Sequence, residues 1–280
     1  MKPVFANILR HLGDFRAIHT SDLPDDLKKR IRETHIRFAI LKRIDRGRKV
    51  ARIVGQPVQY CAEDSLSNQF REIFIRQAYR FECDTEAPFI VDCGSNIGLS
   101  LLFFKTIFPT AEILAFEPDP AAFACLEHNM SDHRFDGIEL VNKALSDTAG
   151  RISLFCDRNE PGSLRASTVR DDLFDDRLEV DGVRLSDYLT REVDFLKIDI
   201  EGAEAAVIKD LAETRKLPLI KQMVMEYHHR AGDDTKSLSS LLRILEDAGF
   251  EHQIESRFAR PLKGGRDQDI LIYADRRGNT

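Results

Sequence analysis

The chain has 280 residues, 42% of them hydrophobic, enough to bury a full core as one large domain with an extension. A net charge of −6 argues against a protein that coats nucleic acid wholesale. No apolar run is long enough to span a bilayer, the N-terminus carries no secretory pattern, and the five cysteines form no CxxC pair. Reduced thiols in a cytoplasmic protein without a zinc site are expected.

In chain order, residues 1–87 are predicted to form an N-terminal cap on the substrate side. It contains Lys/Arg-rich helical segments over about 24–46, a strand pair in "KVARIVGQPVQYC", and a helix in "SNQFREIFIRQAY". From 88 to 280 strands and helices alternate. "FIVDC" (89–93), "EILAFEP" (112–118), "IELVNKAL" (138–145), "DFLKIDI" (194–200) and "KQMVMEY" (221–227) read as strands. "GLSLLFFKTIF", "PAAFACLEHNM", "EGAEAAVIKDLAE" and "KSLSSLLRILEDAGF" read as helices between and after them. The strands are apolar nearly throughout, which fits burial on both faces of a mostly parallel α/β sheet. "FEHQIESRFA" and "QDILIYAD" are expected to form a hairpin at one edge, and the charged, turn-rich stretch 156–183 a loop over the site.

The loop after the first strand reads Asp92-Cys93-Gly94-Ser95-Asn96-Ile97-Gly98. Its glycines suit a nucleotide, but a pyrophosphate loop wants GxGxxG and bare amides, and Asp92 would repel a phosphate. A ligand with an ammonium, a ribose diol and no phosphate suits the loop better. S-adenosylmethionine has these features. Glu117, ending the second strand, is the acid expected to bind the ribose diol, and Asp147 or its neighbouring backbone could read an adenine edge. The bland alternative makes Asp92 a helix cap, the glycines turn residues, and Asp147 a plain loop acid.

"VDCGSNIG", "AFEPDP", "NKALSD" and above all "VDFLKIDIEGAE" resemble the FkbM-type family of S-adenosylmethionine-dependent methyltransferases, over roughly residues 50–275. The resemblance implies a Rossmann-like seven-stranded sheet and methyl transfer, usually to a hydroxyl of a sugar or secondary metabolite. Carried over by position, it places Asp92, Gly94, Ser95, Asn96 and Gly98 along the cofactor, Glu117 on the ribose and Asp147 near adenine.

Methyl transfer to an alcohol needs alignment and a group that removes a proton. Asp199 at the end of the fourth strand is the first candidate for base or positioner, beside Lys197, while Glu201 and Glu204 read as first-turn helix acids. Glu226 and His228 at the end of the fifth strand are further catalytic candidates. Asp199, Glu226 and His228 could also hold a divalent metal, but no spacing demands one, and none is expected.

The basic stretch 28–52 reads as an amphipathic cap helix. It leaves open contact with an anionic carrier at a membrane surface, or an RNA substrate, which the absence of tryptophan and the acidic total disfavour. A nucleotide-sugar or hydroxy-acid dehydrogenase and a non-catalytic cofactor-binding module are the other rival readings. A small-molecule or glycan acceptor is expected.

Overall fold

A computed structural model describes residues 2–40, 49–61, 63–133, 135–156, 176–230, 237–256 and 267–276. The N-terminal part begins with α1 (Lys2–Thr20) and α2 (Asp25–His35), which runs on into a π-helical turn, Ile36–Ile40. An antiparallel pair follows, β1 (Val50–Ile53) and β2 (Gln56–Gln59), then α3 (Glu63–Phe70), continued by a second π turn, Arg71–Ile75. The sequence reading misses α1 because hydrophobicity does not report its inner face. Leu9 and Leu12 are exposed, while Asp14 is buried and takes a bidentate bond from Arg71, at 2.8 and 2.9 Å. The part of the basic stretch from 41 to 48 lies outside the described residues.

The alternating region contains β3 (Phe89–Cys93), α4 (Leu99–Ile107), β4 (Glu112–Phe116), α5 (Pro120–His133), β5 (Ile138–Val141), β6 (Ala144–Ser146), β7 (Gly150–Cys156) and β8 (Asp176–Arg184). It continues with β9 (Val193–Ile198), α6 (Glu204–Glu213), β10 (Ile220–Arg230), α7 (Leu238–Asp247), β11 (Glu251–Ser256) and β12 (Asp267–Asp275). Seven strands form one sheet in the order β11-β12-β10-β9-β3-β4-β5. The pairs from β10 to β5 are parallel, and β12 runs antiparallel to both its neighbours. The expected edge hairpin is therefore present. Chain order reverses across β3: β4 and β5 extend to one side, β9 and β10 to the other. That switch point opens a crevice at the carboxyl end of β3.

The period of two divides the strands between two cores. Ile90, Ile113, Ala115, Phe195 and Val224 face one side and meet α4, α5 and the N-terminal part. Val91, Leu114, Leu196, Met223 and Met225 face the other and meet Val207, Ile208 and Leu211 of α6 and Leu241 and Leu245 of α7. The cap shares the first core instead of holding one of its own: Phe38, Phe70, Phe74 and Phe103 form a chain of ring contacts, with centroids 5.4–5.5 Å apart.

Two expectations fail against this architecture. The run 138–145 is not one strand. The chain leaves the large sheet after Val141, and β6 joins a separate sheet of order β6-β8-β7. Residues 176–183 of the predicted loop are strand, paired antiparallel with β7, while 157–175 lie outside the described residues. Charged residues on a strand with one solvated face hide its alternation, so "DRLEVDGVR" reads as loop.

Candidate functional site

The loop after β3 turns back beneath the end of β4: the amides of Gly94 and Ser95 both donate to the Phe116 carbonyl at 2.9 Å. Gly94 has φ +86°, and a Cβ there would lie 1.8 Å from the Asp199 carbonyl oxygen, so this position admits glycine alone. Gly98, also left-handed, is required for a different reason. Its Cβ would strike Leu126 and Met130 of α5 at 2.7 and 2.9 Å. Glu117 is buried, and its two carboxylate oxygens accept from the amides of Asn96 and Asp119, each at 2.8 Å. Burial nevertheless pushes its pKa up to about 7, the two amides opposing the shift.

Asp92 and Lys197 stand directly opposite each other in the parallel pairing of β3 with β9. Their ion pair spans 3.2 Å with the carboxylate 0% and the lysine 2% exposed. Ser100 donates to the second oxygen of Asp92. The Lys197 ammonium also donates to the Gly94 carbonyl at 2.5 Å and lies 3.7 Å from Asp199. Burial pulls the lysine down, but Asp92 and Asp199 outweigh it and hold its pKa up at about 12. The cation that answers Asp92 is thus Lys197 of the chain itself, a correction to the reading in which Asp92 faces a ligand's ammonium. Asp92 is not among the residues lining the cavity.

Beyond Ile198 the strand pair β9–β10 ends on the β9 side, because Met225 is the last β10 residue in register with it. Glu226 and His228 project past that end. The His228 ring is held by two carboxylates, Glu204 at 2.8 Å through Nδ1 and Glu201 at 3.4 Å through Nε2. Burial lowers the imidazole pKa, but Glu204, Glu201 and Asp199 raise it well above the ordinary histidine value, favouring the charged form. Glu201 lies at φ +53°, a left-handed conformation that non-glycine residues rarely adopt. Burial pushes its carboxyl up to about 8, although His228 draws it down. Asp199 accepts the Tyr79 hydroxyl at 3.3 Å.

These groups meet in one cavity. Gly94, Ser95, Asn96 and Glu117 line it on the β3–β4 side, and Lys197, Asp199, Glu201 and Glu226 on the β9–β10 side. The roof comes from the cap: Asn68, Gln69, Glu72, Ile73 and Tyr79. Of the expected cofactor residues, Gly98 acts through packing and does not line the cavity. Asp147 is exposed at the end of β6, where Lys143, Ala144 and Leu145 line the wall instead. Of the catalytic candidates, Asp199 and Glu226 face the cavity, and His228 stands behind Glu201. At this cavity, ligating atoms of Asp199, Glu201 and His228 lie within 4.8 Å of one another, so here this trio, with Glu201 in place of Glu226, is the set that could gather a cation; His11, Asp14 and His35 form a second such cluster in the N-terminal part. Tyr79, in the turn after the Arg71–Ile75 segment, and Gln69, on α3, are not signalled by the sequence, since nothing local says that either looks onto a site completed over a hundred residues later.

The family profile of the FkbM methyltransferase domain matches residues 92–252. The chain is 31% identical over 233 residues to methyltransferase sdnD of Sordaria araneosa, covering 71% of this chain and 88% of that protein. It is 31% identical to 2-O-methyltransferase NoeI of Sinorhizobium fredii (66% and 79% covered). It is 27% identical to 31-O-demethyl-FK506 methyltransferase FkbM of Streptomyces tacrolimicus (74% and 87%). The chain belongs to the FkbM family of S-adenosylmethionine-dependent methyltransferases.

Proposed function

We propose that the protein transfers a methyl group from S-adenosylmethionine to a hydroxyl oxygen of a small acceptor without phosphate, a sugar or secondary metabolite. The observation that carries this reading is the single cavity joining Glu117 and the glycine loop to the carboxylates at the ends of β9 and β10. The relatives NoeI and FkbM, whose names specify transfer at oxygen positions, support it.

The residues fit the cofactor. Glu117 lines the cavity and accepts one amide at each carboxylate oxygen, which leaves both oxygens capacity to accept from a diol. No phosphate cradle competes, because the ammonium nearest the loop, Lys197, is already paired with Asp92 and Asp199. When bound, S-adenosylmethionine supplies an electrophilic methyl group. The chain's own residues supply the rest. Asp199, held at its Oδ2 by the Tyr79 hydroxyl and the Lys197 ammonium, acts as a positioning residue. Glu201 takes the acceptor's hydroxyl proton, its elevated pKa matching that step far better than an ordinary carboxylate. His228, held charged by Glu204, orients Glu201 as a positioning residue. None of these roles requires a metal, so EDTA should leave turnover intact.

The acceptor side is acidic. Asp199 and Glu226 share the cavity with Glu72, already paired with Arg76, and with a Glu201 that is largely protonated near neutral pH, and a phosphate brought beside the first two would be repelled. This supports a neutral acceptor over a nucleotide-linked sugar or RNA. Gln69 also lines the cavity, and its buried side-chain carbonyl oxygen has no hydrogen-bond partner among the described residues, an unmet acceptor that a small shift of the side chain would offer to a hydroxyl. Incubation with methyl-labelled S-adenosylmethionine and a panel of neutral glycosides, nucleotide-linked sugars and transfer RNA tests the reading. Label should enter a neutral acceptor at oxygen. Preferential labelling of RNA or of a nucleotide-linked sugar would overturn it.

A further inference from the structure

We propose that Cys61 and Cys125 are a modification site, a thiol pair that closes to a reversible disulfide stapling the cap to the helix behind the cofactor loop. Cys61 follows β2, and Cys125 lies in the second turn of α5. Their sulfurs are in contact at 3.0 Å, with both thiols free. Neither cysteine serves the methyl transfer, since both lie outside the cavity lining and outside every polar contact the reaction uses.

The surroundings favour oxidation here over the buried Cys93 thiol. Cys61 also approaches the Ala121 carbonyl at 3.4 Å, and the Lys49 ammonium sits on the Cys61 carbonyl at 3.2 Å, so Cys61 is held in place against a Cys125 fixed within α5. The hydrogen bond from Cys61 draws the Cys125 thiol below the ordinary cysteine value, making it the more thiolate-like of the two. Cys61 is only partly buried, which gives an oxidant access. Cys93, by contrast, is fully buried, and burial raises its pKa.

The junction is mechanically close to the cofactor side. One turn beyond Cys125, Asn129 accepts from the Gln59 amide at 2.7 Å and donates to the Gln59 carbonyl at 3.0 Å and the Ile97 carbonyl at 2.8 Å. Leu126 and Met130 of the same helix press on Gly98. A bond between the two sulfurs would add a covalent tie between cap and α5 beside the packing and the Asn129 hydrogen bonds that already join them. With hydrogen peroxide as oxidant the step balances. The two S–H bonds break, one S–S bond forms, and the two protons and two electrons convert the peroxide to two waters.

The test uses the full chain. After peroxide treatment, free thiols are alkylated, the protein is digested without reductant and the peptides are mapped by mass. A Cys61–Cys125 cross-linked peptide that disappears with dithiothreitol is expected, together with a higher melting temperature for the oxidised protein. Cys61→Ser should abolish both the peptide and the shift in melting temperature. Recovery of Cys61 and Cys125 as alkylated thiols, over-oxidation of Cys125 to the sulfinic acid without a cross-link, or pairing with a different cysteine would each overturn the proposal.

Discussion

Glu117 combines burial, two backbone donors and a pKa raised to about 7, so in the free protein near neutral pH it is only partly ionised. Between its ordinary value of 4.5 and about 7 the folded chain holds a proton that the unfolded chain has released, and stability falls across that window as pH rises. Two ribose hydroxyls donating to the carboxylate would favour the charged form and expel the proton. Binding of S-adenosylhomocysteine should therefore release close to one proton at about pH 6, and its affinity should rise with pH and level off above about 7. Calorimetry in two buffers of different ionisation enthalpy measures this, and Glu117→Gln should abolish it. Glu201 gives the matching prediction for turnover. A base with a pKa of about 8 must lose its proton to act, so kcat should climb with pH and reach a plateau above about 8. Glu201→Gln should lower kcat by about a hundredfold or more and remove that limb. His228→Ala should shift the limb as well as reduce the rate, since it removes the cation that draws the Glu201 pKa down.

At the scale of elements, the β3–β9 pairing determines what Asp92 does. The register that sets Asp92 against Lys197 makes this a buried ion pair, and removing one partner of such a pair typically costs about 3–5 kcal/mol. Asp92→Asn should accordingly lower the denaturation midpoint. Joining it with Lys197→Met, which removes the stranded ammonium, should restore part of the loss, and a double-mutant cycle by urea unfolding would show the coupling. The sequence disclosed much at this scale. "FIVDC" coincides with β3, and the strand–helix alternation foretold the parallel sheet, because buried strands and amphipathic helices carry their environment in their own composition. It could not disclose that Lys197 would face Asp92, since register between strands over a hundred residues apart is set by the whole sheet. β6, β7 and β8 escaped for a related reason: short, half-solvated strands with charged outer faces carry little hydrophobic signal.

For the whole molecule, the decisive feature is that the cap shares a core with the cofactor-side face of the sheet, and so places Gln69, Glu72 and Tyr79 over the reaction centre. The glycine loop and Glu117 were legible as one wall of the cavity, because a glycine loop and a strand-end acid are local signals, whereas the places of Asp92, Gly98 and Asp147 were not. On the opposite side Asp199 and Glu226 were legible as strand-end acids, but the roof was not, because Gln69, Glu72 and Tyr79 carry no local mark of facing a site. Cofactor use and reaction class both depend on the Glu117 side of the cavity taking a ribose-bearing ligand without phosphate. Isothermal titration of the full chain with S-adenosylhomocysteine and with NAD, repeated on Glu117→Ala with circular dichroism to confirm its fold, measures this dependence. One saturable site for S-adenosylhomocysteine, no heat from NAD, and a folded Glu117→Ala variant with greatly weakened binding are the expected results. Tight NAD binding, or S-adenosylhomocysteine binding unchanged in the folded variant, would contradict them.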